Sequence, residues 1–88
     1  MAALWLSVVP AHADSDQFKF DVQAAGFTGA SPDAYLQAGN KVCTALVEGY
    51  SKRTIATSLY ENTDMENLSD AMQLVNIAHR DLCPGVSA

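Results

Sequence analysis

Residues 31–50 read SPDAYLQAGNKVCTALVEGY, and this stretch decides the fold. Ser31 is a favourable N-cap, and Asp33 sets negative charge against the positive end of a helix. Pro32 suits the first helical position, where its fixed φ is already helical and its missing N–H would have no partner. Leu36, Gly39, Val42 and/or Cys43, Leu46 and Tyr50 then recur at spacings of three and four, the period of one buried helix face. The spacing predicts a helix from Pro32 to about Glu48, halted by Gly49. A mid-helix glycine costs roughly 1 kcal/mol relative to alanine, so Gly39 implies a neighbouring helix crossing close to the backbone.

On the N-terminal side, Asp14 and Asp16 can cap a helix near residues 15–25, with Phe18, Val22 and Ala25 on one face. Gly26 followed by apolar Phe27 is the pattern of a Schellman stop: the glycine takes positive φ and the next residue folds back. Residues 28–30 form a polar link. On the C-terminal side, Ser51 can cap a short helix from Lys52 to about Tyr60, in which Ile55 and Leu59 form an i, i+4 pair. The polar run 61–64 breaks it. A last helix is expected to start at Thr63, with Glu66 as capping-box partner, or at Ser69. Leu68, Met72, Val75, Ala78 or His79, and Leu82 carry its stripe, and Pro84 with Gly85 ends it. No segment alternates with period two for long enough to make a strand. The fold class is therefore all-α: a small bundle of about four helices in a single domain, residues 14–88.

The chain has two cysteines, Cys43 and Cys83, forty positions apart on different helices. In an exported chain an even count with one possible pairing reads as a disulfide. In the chain-entropy model such a loop contributes about 4 kcal/mol at most, comparable to the whole stability of a small domain. Redox catalysis would place the two thiols within one helical turn, and zinc would need further ligands, of which His79 is the one plausible third.

Export is read from the first thirteen residues, MAALWLSVVPAHA, which hold no Asp, Glu, Lys or Arg and give way abruptly to DSDQFKFD. The stretch is too short to span a bilayer but suits a secretory leader, with Ala11-His12-Ala13 as the small-x-small cleavage pattern and Asp14 as the mature start. The basic residue that normally opens a leader is missing, as an upstream truncation or a misassigned start codon would leave it. The expected location is secreted or envelope-associated, with no membrane-spanning segment in the mature chain. At 49% hydrophobic and 17% charged residues the composition is that of a folding chain. Its net charge of −5 repels phosphate backbones, which excludes nucleic acid as the expected partner.

The order of DSDQF with Val22 and Gly26-Phe27, then SPD, AGNKVC, LVEGYS, LS and a terminal CP is similar to the small exported actinobacterial proteins of the domain of unknown function 732 family. The similarity runs from about Asp14 to Pro84. Its most specific parts are the Gly39-to-Cys43 spacing, the Gly49-Tyr50-Ser51 break and Cys83-Pro84. The chain departs from the pattern at Leu82, where an aromatic residue is usual, and at Lys19, where an apolar one is common. The resemblance implies an α-helical, secreted or envelope-associated, mycobacterial-type protein with one disulfide. It transfers no catalytic residue, because the family has no established activity.

Among chemically capable side chains, His79 is the one residue of the mature chain of a type that could act as acid or base near neutral pH, yet its neighbours Arg80 and Asp81 point to other helix faces and no Ser-His-Asp set assembles. Tyr35, Tyr50, Tyr60, Met72 and His79 could line a cavity for haem or an apolar ligand. The ordinary use of such residues on amphipathic helices is packing. The acids Asp21, Asp33, Glu48, Asp70 and Asp81 read as single solvated charges near helix ends. Thr63-Asp64-Met65-Glu66 lacks the glycine and spacing of an EF-hand loop. Asn67-Leu68-Ser69 fits a glycosylation sequon by coincidence; Lys52-Arg53 could form a small contact point for an anionic partner, although two adjacent bases are usually a solvated helix start. The expected function is thus a secreted, non-enzymatic helical module without a cofactor that binds an unidentified protein or envelope component. The alternative is a small carrier of haem or another apolar ligand.

Overall fold

The computed structural model describes residues 14–87, and its frame is four helices: α1 (Ser15–Ala24), α2 (Pro32–Val47), α3 (Lys52–Glu61) and α4 (Leu68–Leu82). No strand occurs among the described residues. The reading of residues 1–13 as a leader lies outside them. Each helix opens on a side chain that accepts a backbone N–H three residues on: Asp14 from Gln17 at 3.2 Å, Ser31 from Ala34 at 3.1 Å, Ser51 from Thr54 at 3.1 Å and Asn67 from Asp70 at 2.9 Å. The last of these corrects both expected starts of α4. Thr63 belongs to the end of α3, where its Oγ1 donates to the Leu59 carbonyl at 2.8 Å, and Ser69 lies inside the first turn of α4. Asn67 has the extended backbone of an N-cap, and asparagine caps as well as serine does.

Helices α1 and α2 end in the same way. Gly26 has φ of 95° and Gly49 φ of 100°, both in the left-handed region. Gly26 N bonds Gln23 O at 3.0 Å and Phe27 N bonds Val22 O at 2.9 Å; Gly49 N bonds Leu46 O at 3.0 Å and Tyr50 N bonds Ala45 O at 3.1 Å. Both pairs are Schellman closures. Phe27 folds back against the core, whereas Tyr50 is 55% exposed. Tyr50 therefore does not belong to the buried stripe expected for α2. The left-handed turn at Gly49 redirects the chain before Tyr50 is reached, so helical periodicity no longer decides which way it faces.

Helix α4 is the hub, because α1, α2 and α3 all pack chiefly or heavily against it. Its buried residues, Ala71, Leu74, Val75, Ile77, Ala78 and Leu82, cover a wider arc than a single stripe, as neighbours on three sides require. They join Phe18 and Val22 of α1, Val42 and Leu46 of α2, and Ile55 and Ala56 of α3 in one core. At Gly39 three helices converge: a Cβ there would lie 2.7 Å from Leu82 Cδ1 and 2.8 Å from Phe18 Cζ. The close approach expected from the glycine is present. Cys43 and Cys83 form a disulfide with a Cα–Cα distance of 6.0 Å, fastening the middle of α2 to the residue just past α4.

Polar ties hold the rim. Lys19 Nζ lies 2.8 Å from Asp33 Oδ1, so this lysine joins α1 to the first turn of α2 at the surface. Lys52 Nζ donates to Asn76 Oδ1 at 3.0 Å and fixes the start of α3 on α4.

Candidate functional site

Between α2 and α3 the surface opens into a groove of about 630 Å³, with buried Val42 and Ile55 at its base. Its α2 side is made of Ala34, Ala38 and Ala45 with Gln37 and Lys41 among them, beside the Gly39 stripe. The gap exists because α3 is held mainly on α4, by Ile55, Ala56 and the Lys52–Asn76 bond, and touches α2 far less. A second groove of the same volume, lined among others by Phe27, Tyr35 and Met65, shares Ala34, Ala38, Leu59 and Thr63 with the first. The two are one continuous, solvent-open trough. Lys41 is the charged residue of the first half, and Asp64, Glu66 and Asp70 are those of the second. Among the described residues, none of these four takes part in an ion pair.

A second polar feature joins α1 to α4. Arg80 Nη2 lies 2.9 Å from Asp21 Oδ2, and Arg80 Nε lies 3.2 Å from Asp81 Oδ1. The Asp81 side chain is 7% exposed, and its Oδ2 is buried with no hydrogen-bond partner. A buried carboxylate oxygen without a donor is costly, and a proton on Asp81 donated to Asp21 removes that cost. Burial, reinforced by the bond to Asp21, pushes the Asp81 carboxyl above its ordinary value, against the pull of Arg80. The same bond holds Asp21 below the ordinary value, helped by Gln17 Nε2 at 2.9 Å and by Arg80, while burial opposes the shift. Asp21 and Asp81 are thus a carboxyl pair and not two solvated single charges. The Asp14 N–H donates to the Asp81 carbonyl at 3.2 Å, which seats the start of α1 at the same place.

The five residues considered for a ligand cavity are spread over the molecule. Tyr35 lines the Met65 half of the trough, where its hydroxyl accepts the Gly29 N–H at 3.0 Å and its ring meets Phe27 edge-on at 5.7 Å. Tyr50 borders the other half, and Met72 lines a shallow depression on α4 beside Asp21 and Arg80. Tyr60 is exposed and borders none of these three surfaces. His79 Nε2 lies 2.6 Å from the Val86 carbonyl. A carbonyl only accepts, so Nε2 carries the proton, and the histidine ties the C-terminal turn to α4. No group of three or more His, Cys, Asp or Glu among the described residues is arranged to hold a metal ion. Asn67 Oδ1 is engaged as a helix cap, and Lys52 is engaged by Asn76.

Sequence spacing held no signal for the carboxyl pair, since its members are sixty positions apart on different helices. The trough had a partial signal in Ala34, Ala38 and Ala45, spaced by four and seven along one helix face.

No helix of the described residues is long and apolar enough to cross a membrane. Comparison with curated proteins and with solved structures returns no match. A family model described as "Protein of unknown function (DUF732)" matches residues 13–85, which takes in all four helices, both cysteines and both glycine stops. The chain belongs to the domain of unknown function 732 family.

Proposed function

We propose that this protein is an exported, non-enzymatic helical module that binds a protein or envelope component through a helix face, and that the working face is the α2–α3 trough. The observation that carries this reading is the trough itself: an apolar base, an α2 wall with three alanines, an α3 wall bearing Thr54, Ser58 and Asn62, and unpaired charges, open to solvent along its length. An exposed concave surface with an apolar base and a polar rim of this kind marks interaction sites. Export is supported by the uncharged, apolar character of residues 1–13 and by the start of the family match at residue 13. The non-enzymatic reading rests on His79, whose Nε2 is taken up by a main-chain carbonyl rather than by a nucleophile. An enclosed carrier of haem or lipid is the poorer reading, because ligand pockets cover most of their ligand and this trough is open.

The test is site-specific photo-crosslinking in the native host, with the reactive group at Ser58 inside the trough or at exposed Val47 on the outer side of α2. The expected result is a discrete adduct from Ser58 and none from Val47. Adducts from neither position, or a turnover activity lost on His79→Ala, would overturn the proposal.

A further inference from the structure

We propose that the trough receives an amphipathic helix of a partner protein whose apolar face carries a basic cluster at one end and an acidic residue nearer the other. The inference rests on the binding role proposed above and specifies the partner's chemistry.

Three observations lead to it. The α2 wall from Ala34 to Ala45 spans about 16 Å of helix, room for three turns of an incoming helix; Ala34 and Ala38 let another backbone approach closely there, and Lys41, in the same row, offers a charge to pair with. No strand occurs among the described residues, so the trough offers no sheet edge to an extended peptide, and a helix laid in a groove is the mode it suits. The charges are ordered along it: Lys41 in one half, and Asp64, Glu66 and Asp70 in the other. Three acids against one base, none of them ion-paired among the described residues, call for an occupant that is predominantly basic. A second copy of this chain fits poorly, because its net charge of −5 repels the acidic half.

The probe is a fluorescein-labelled alanine/leucine helix with three lysines at one end and one glutamate towards the other, compared with a version that carries glutamates throughout. Anisotropy reads the affinity, and amide shifts of the isotope-labelled protein, cysteines oxidised, read the location. The basic-ended helix is expected to bind, with shifts at Ala34, Ala38 and Leu59. Its affinity should fall about tenfold on the double change Asp64→Asn, Glu66→Gln, the scale of a few surface charge pairs, and should weaken with added salt. Ser58→Arg should block binding. Ser58 is an exposed position on α3 and arginine is the better helix former, so this variant should keep its helical circular dichroism.

Equal binding of the acidic helix, or shifts centred on the outer face at Phe20 or Val47, would overturn the proposed occupant. If neither helix binds while the Ser58 crosslink persists, the occupant is wrong and the binding role stands. If the crosslink fails as well, both fall.

Discussion

A carboxyl group that is 7% exposed, has one oxygen without a partner and lies against a second carboxyl and an arginine keeps its proton to higher pH than a free one does. The sign of the effect on stability follows from linkage. Asp81, raised in the fold, contributes stability that is complete below the ordinary value near 3.8 and is lost as pH rises through its folded value. Asp21, lowered in the fold, contributes stability present above 3.8 and lost as pH falls through its folded value. The two shifts have opposite sign, so the pair favours the fold most in the acid range between the folded values of the two groups, and this contribution declines on either side. We expect Asp81→Asn, which keeps a donor without the charge, to gain melting temperature relative to the native chain at pH 8 and to lose that gain near pH 4. A constant difference across that range would remove the shared proton. Gly39 supplies a second test at this scale. Alanine there would improve helix propensity by roughly 1 kcal/mol, but its methyl would meet Leu82 and Phe18 below 3 Å inside the core. Overpacking costs about 1–3 kcal/mol, so Gly39→Ala should lower the melting temperature. The loss should be smaller when Leu82→Ala makes room, and a rise on Gly39→Ala alone would show that the contact yields.

At the scale of the element, helix limits follow from single side chains and single backbone angles. The start of α4 is the discriminating case: Asn67→Ala should destabilise by about 1 kcal/mol through loss of its cap, while Glu66→Ala, which removes the acceptor of a capping box, should leave the chemical denaturation midpoint unchanged, since the expected Thr63 capping box is not formed. Equal effects of the two changes would restore Thr63 as the cap. At Gly49, with φ of 100°, any side chain is strained. Gly49→Ala should therefore cost about 1–2 kcal/mol and loosen the turn that delivers Ser51 to cap α3. Both glycine stops, the Ser31 and Ser51 caps and the Pro32 start were readable in advance, because each depends on residues within five positions. Asn67 was not singled out because Thr63, Asn67 and Ser69 are all competent caps, and the choice among them depends on how the α3–α4 link is drawn across the core.

At the scale of the molecule, the Cys43–Cys83 bond couples α2 to the end of α4, and its removal acts on the unfolded chain by returning the freedom of a long loop. Reduction, or Cys43→Ala with Cys83→Ala, should lower stability by up to about 4 kcal/mol, read as a large fall in melting temperature at unchanged helical content below the transition. An unaltered melt would make the bridge idle. The sequence by itself determined what short-range chemistry controls: an all-α chain, three of four helix starts, the ends of α1 and α2, the close approach at Gly39 and the single possible cysteine pairing. Only the tertiary structure decided that α4 is enclosed on three sides, that Tyr50 turns outward, that Asp21 and Asp81 meet, and that α3 leaves α2 to open the trough. The physical reason is distance along the chain. Caps, stops and periodicity are set by neighbours within a turn or two, whereas a shared proton and a groove arise between surfaces that come together only when helices choose their partners across the core.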